Sequence, residues 1–173
     1  MIAETSTPAS ISSAVRNPSS SASTTLKAVA VGGALVGVLD ATDGVAFFGL
    51  TAGMNPIQVL QFIASGALGV EAFNGGLAAA GLGALFHFGL SFGFTAAFVA
   101  AWKLVAVVRE HWVVAGLGWG AAVWTLMNLV VLPLSRVPAS PITPLTAIHG
   151  LIGHALFVGL AAAYVARRVI PES

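Results

Sequence analysis

Apolar positions run along this chain in long blocks broken by single polar residues. A helix rises about 1.5 Å per residue, so about 20 apolar residues cross a ~30 Å hydrocarbon core. Blocks of that length occupy about 26–50, 72–102, 112–134 and 144–166. The first is interrupted by Asp40 and Asp43, the second ends at Lys103, and the fourth is closed by Arg167 and Arg168. Between the first two, Asn55 and Pro56 form a good N-cap and first-turn pair for a helix over about 55–69. That segment is too short to span. Gln58, Gln61 and Ser65 share one face of it, which predicts an interfacial or re-entrant helix. The pattern therefore predicts an all-α integral membrane bundle of four transmembrane helices plus this short fifth one.

The ends add organisation. Residues 1–25 hold Ser or Thr at twelve positions, with Pro8 and Pro18 between them. Such a stretch buries too little to offset its ordering entropy, so it predicts a disordered cytoplasmic tail ahead of a 26–173 transmembrane domain. It lacks the apolar core of a secretory signal. Four spans place the tail, the 103–111 loop and the C-terminus on one side, with Arg16, Lys27, Lys103, Arg109, Arg167 and Arg168; the other side carries only Arg136. The positive-inside rule then predicts both termini in the cytoplasm. Pro133, Pro138, Pro141 and Pro144 stiffen the outer loop, and Thr143 with Pro144 starts the fourth span.

Composition agrees with lipid as the solvent. Hydrophobic residues make up 57% and charged residues 8%, against about 25% charged in a soluble domain, and mean hydropathy is +0.94. No basic stripe suggests nucleic acid as a partner. With no cysteine, disulfides, thiolate metal sites, Fe–S clusters and covalent c-type haem are excluded.

Lipid gives no hydrophobic drive between spans, so small residues that permit close approach become the adhesive. The first span aligns Gly33, Gly37, Asp40 and Gly44; the second aligns Gly76, Ala80, Gly83 and His87. The third offers Gly116 and Gly120, and the fourth aligns Gly150, His154 and Ala161. In three of the four spans the small-residue face also carries the ionisable group. That predicts Asp40, His87 and His154 facing one another near mid-depth, with Asp43, His149 and Asn128 toward the outer half. A central Asp costs about 2.5 to 3.5 kcal/mol, while each Leu, Val or Phe returns about 0.3 to 0.6. The first span is therefore near break-even alone and depends on partners.

Intramembrane acids are rare and expensive, which makes Asp40, Asp43, His87, His149, His154 and Asn128 candidates for a proton relay or ligand site. The plain alternative is a hydrogen-bonded cluster that only locks the bundle. His149 and His154 lie about 140° apart on one helix, so they do not share a metal. His87 and His154, from different helices, form a conceivable axial pair for b-type haem, but no cofactor is called for by the sequence. Asn55-Pro56-Ile57 resembles the start of a pore half-helix, which capping explains equally. The strings Gly83–Leu90 and Gly153–Leu160 are loosely alike. Trp102, Trp112 and Tyr164 suit interfacial belts, while Trp119 and Trp124 lie deeper. Hydrolase, phosphate-loop and zinc-protease motifs are missing, so an enzyme is not indicated.

Asp40-Ala-Thr-Asp-Gly44, the segment Asn55–Gly66, Ala72-Phe-Asn-Gly-Gly76 and Leu85-Phe-His-Phe88 together resemble small bacterial four-helix inner-membrane proteins of unknown function, loosely the YagU-like group. The resemblance implies a prokaryotic inner membrane and supplies no substrate. From the residues, the leading expectation is a small transporter or proton- or ion-conducting protein built on the Asp/His cluster. The alternatives are a non-catalytic subunit or assembly factor of a membrane complex, and a haem- or quinone-binding electron carrier. The lipid bilayer is the expected partner, with further copies or other membrane subunits possible.

Overall fold

A computed structural model describes residues 18–138 and 142–171. Among these the chain is helical apart from short turns, with no strand. Helix α1 runs Pro18–Ala52 and α2 runs Pro56–Leu68, continued by a 3-10 segment, Gly69–Asn74. Helix α3 covers Gly76–Leu104 and the short α4 covers Ala106–Glu110. Then α5 (Trp112–Leu126), a π segment (Met127–Val131) and α6 (Leu132–Leu134) form one rod. A second rod joins α7 (Pro144–Gly153), a π segment (His154–Leu160) and α8 (Ala161–Val169).

By length and apolar composition five runs are able to cross a membrane, among them the 19-residue Pro56–Asn74. Connectivity separates four of these from the fifth. Along α1 and α3 the contacts run in opposite order, Gly32 to Thr95, Gly33 to Phe92 and Gly37 to Phe88, so the two helices are antiparallel. The chain between Ala52 and Gly76 must therefore leave and re-enter at the same end of the bundle. Two contacts hold α2 at that end: it starts three residues after α1, and its Gly66 carbonyl accepts from the Arg136 N–H beyond α6. Four helices run the length of the bundle, and α2 with its 3-10 tail makes an excursion at one end. Its start is set by a full capping box between Asn55 and Gln58, with Pro56 in the first turn.

One boundary and one placement differ from the hydropathy reading. Helix α1 begins at Pro18 rather than near 26, so 18–25 belong to the helix; Pro18 suits a first turn, where its missing N–H is not needed. Thr25 on this extension accepts from Lys103 Nζ at 2.9 Å, tying the start of α1 to the end of α3. The remainder of the expected tail lies outside the described residues. Trp102, expected at an interfacial belt, is 1% exposed and sits in the core.

That core fills the half of the bundle nearest Thr25 and Lys103. Val36, Phe98, Trp102, Val158 and the alanines Ala161, Ala162, Ala163 and Ala166 are buried together. The outward faces carry Leu26, Leu50, Leu77, Leu85, Leu104, Val114 and Leu134, a surface suited to hydrocarbon rather than water.

Most of the glycines on these faces lie against a particular neighbour. Gly33 and Gly37 receive the Phe92 and Phe88 rings of α3, and Gly150 receives the Trp124 indole. Gly83 abuts the Leu60 carbonyl of α2, and Gly116 and Gly120 meet the Gly159–Leu160 and His154–Ala155 backbone. Two are not packing residues. A side chain at Gly44 would meet nothing within 4 Å. Gly76 adopts φ +56°, so it serves the turn into α3 rather than a helix contact.

Candidate functional site

Asp40 projects from mid-α1 between two imidazoles. His87 Nδ1 from α3 stands 4.0 Å from its Oδ2, and His154 Nδ1 from the α7–α8 rod stands 3.8 Å from its Oδ1. One helical turn outward, Asp43 Oδ1 lies 3.4 Å from His149 Nε2. The His149 ring is stacked on Phe47 at 3.8 Å between centroids and 17° between planes. Asp40, His87 and His154 thus come together at one level, with Asp43 and His149 forming a second pair beside them.

The backbone sets the direction of two rings. His87 Nε2 is 2.8 Å from the Gly37 carbonyl, which can only accept, so Nε2 carries hydrogen. Its Nδ1 is the nitrogen that faces Asp40. His154 shows the opposite face: its Nδ1 is 3.0 Å from the Gly150 carbonyl and therefore donates there, with Asp40 as a longer second acceptor. The 4.0 Å gap between His87 Nδ1 and Asp40 exceeds a direct hydrogen bond.

Close helix approach is what allows this arrangement. Gly153 leaves room for Asp43, since a side-chain carbon there would stand 2.7 Å from Oδ2. Both rods widen to π geometry beside the site, at Met127–Val131 and His154–Leu160. The first is explained by Pro133, which withholds an N–H from the preceding turn. π segments of this kind concentrate at functional sites. The loosely similar strings at 83–90 and 153–160 therefore differ in backbone, α in the first and π in most of the second.

A cavity of about 270 Å³ opens onto both pairs, lined by Asp40, Asp43, His87, His149 and His154 with Asn128, Trp124 and aromatic side chains. Asn128 gives its amide nitrogen to the Trp124 carbonyl at 2.9 Å, so it lines the cavity without joining the acid–imidazole pairs. Phe48, Phe62, Asn128, Leu132 and Thr146 continue into a wider space of about 670 Å³ under the 133–138 loop, at the α2 end of the bundle. His111 lies apart, at the opposite end where α5 begins.

The geometry does not suit haem. The carboxylate of Asp40 lies against Nδ1 of both His87 and His154, and His87 Nε2 is held by Gly37, so the two rings present no opposed nitrogens to an iron. Among the described residues no group of three acids or imidazoles is arranged to hold a metal ion.

Three features were not readable from helical spacing: the Asp43–His149 pair, the Phe47 stack and the carbonyl partners that orient His87 and His154. No family model, curated protein or solved structure matches the chain.

Proposed function

We propose that the chain is a small integral membrane protein that exchanges protons, or transports a solute coupled to protons, through Asp40. The observation that carries this reading is the Asp40 carboxylate set within 4.0 Å of two imidazoles at the floor of a cavity open toward one end. A group that hands a proton on must have a second acceptor near it and a path from water; Asp40 has His87 as the first and the cavity as the second. Asp43 with His149 stands one turn nearer the opening and serves as the entry pair. The positive-inside rule assigns the closed half, with Lys103, Arg109, Arg167 and Arg168, to the cytoplasm of a bacterial inner membrane, and the cavity mouth to the outside.

The test is pH-driven proton flux in liposomes containing the purified protein and an internal pH dye. Asp40→Asn is expected to lower flux at least tenfold while retaining the helical circular dichroism and elution volume of the parent. Gly93→Ala, at a position with nothing within 4 Å, serves as the matched control. Undiminished flux in a folded Asp40→Asn protein sinks the reading.

A further inference from the structure

The same cavity has walls and charges that select a class of ligand, and the inference below rests on the membrane-embedded reading just given. Its lining holds two carboxylates, Asp40 and Asp43, and no lysine or arginine. Phe47, Phe48, Phe62 and Trp124 supply aromatic surface around them. Carboxylates and the faces of aromatic rings both attract a cation, and both disfavour an anion.

A second space, of about 510 Å³, borders the cavity on one side. Phe62, Ile63, Leu90, Met127 and Leu132 line both. This groove lies between α2, α3 and the α5–α6 rod, and apart from Ser135 its lining side chains are apolar. A small hydrated ion gains nothing from such a wall. A cation carrying an apolar body uses the acid floor and the groove together. The inner cavity alone is at the lower edge of the roughly 300–1,000 Å³ typical of small-molecule pockets, and with the groove it falls inside that range.

We propose that this cavity and groove bind a lipophilic cation, its charged centre beside Asp40 and Asp43 and its apolar body between α2, α3 and α5–α6. Asp40 is faced by His87 from α3 and His154 from the α7–α8 rod, and Asp43 by His149; α2 and the α5–α6 rod bring no charged group to the lining.

Tetraphenylphosphonium is the probe, titrated calorimetrically into the protein in lipid nanodiscs with empty nanodiscs as reference. Tetraphenylborate has the same shape with opposite charge, and tetramethylammonium has the charge without the apolar body. The expected result is tetraphenylphosphonium bound at least tenfold more tightly than either. Asp43→Asn is expected to weaken it at least tenfold. Gly89→Phe fills the groove from a position where an added Cβ meets nothing within 4 Å and, with circular dichroism and elution volume matching the parent, is expected to weaken it at least fivefold. Heats equal to empty nanodiscs, equal binding of tetraphenylborate, or full affinity in Gly89→Phe overturn the proposal. Proton flux measured on the same preparation separates the two ideas: flux without cation binding removes only the ligand assignment, and cation binding without flux removes only the proton reading.

Discussion

His149 and Asp43 face each other at 3.4 Å across the contact between the α7–α8 rod and α1, with the imidazole lying flat on Phe47. The ring is thereby fixed on two sides, by an acid at its edge and by an aromatic face beneath it. Both side chains keep part of their surface open, 33% for His149 and 22% for Asp43, so the pair is exposed enough to exchange with the cavity. Its coupling is accordingly modest. A double-mutant cycle with Asp43→Asn and His149→Phe is expected to give about 1 kcal/mol of interaction. Additive behaviour within 0.3 kcal/mol, on the scale of cycle error, shows that the two do not interact.

The rings of His87 and His154 hold their hydrogens on different nitrogens. Nitrogen-15 spectra of histidine-labelled protein, assigned by His87→Asn and His154→Asn, are expected to show Nε2–H for His87 and Nδ1–H for His154. Identical tautomers in the two rings contradict the Gly37 and Gly150 carbonyl partners.

Backbone contact between the two rods leaves no room at Gly120, where an added carbon runs into the His154 carbonyl. Gly120→Ala is expected to lose about 1 to 3 kcal/mol through overpacking. Gly118→Ala, two residues away with nothing within 4 Å, is expected to be neutral or slightly stabilising, because alanine is the better helix former. The comparison is read from thermal unfolding in one detergent, and equal midpoints dispose of the close-contact account.

The capping box on α2 makes a local forecast. Asn55→Ala removes the acceptor for the Gln58 N–H and is expected to cost about 1 kcal/mol. Faster hydrogen exchange confined to the first turn of α2 is the signature, and Asn55→Asp is expected to restore protection. Unchanged exchange in Asn55→Ala shows the cap to be idle.

Topology is testable cleanly because the chain contains no cysteine. Ala22→Cys and Glu110→Cys are expected to react with an impermeant maleimide from the same side, and Val137→Cys from the other. Ala22 and Glu110 reacting from opposite faces breaks the four-crossing arrangement.

How much of this was legible in the chain follows from what each signal depends on. Hydropathy depends on one helix at a time, so the spans and the α2 excursion came through it. Asp40, His87 and His154 were also placed together, because each sits on a face of small residues. The start of α1 at Pro18 was missed, since Ser and Thr give no hydropathy signal although their backbone continues a helix. The burial of Trp102 and the neighbour each glycine receives depend on how helices rotate against one another. A single-helix pattern contains no such information. The π segment at 127–131 did have a sequence signal, Pro133, whereas the one at 154–160 has none and lies where Gly116, Gly120 and Gly159 bring the two rods together.

The buried core below Asp40 gives the cavity a floor. From His87 to Trp102 along α3 is about 22 Å at helical rise, and Val36, Phe98, Trp102 and the α8 alanines fill that depth. Among the described residues this packed half closes the cavity on the side away from α2. Any solute that travels the whole way requires a second state in which the rods part below the π segments. Two buried polar side-chain atoms lie within this packed half, Thr95 Oγ1 and Trp119 Nε1, neither with a hydrogen-bond partner among the described residues.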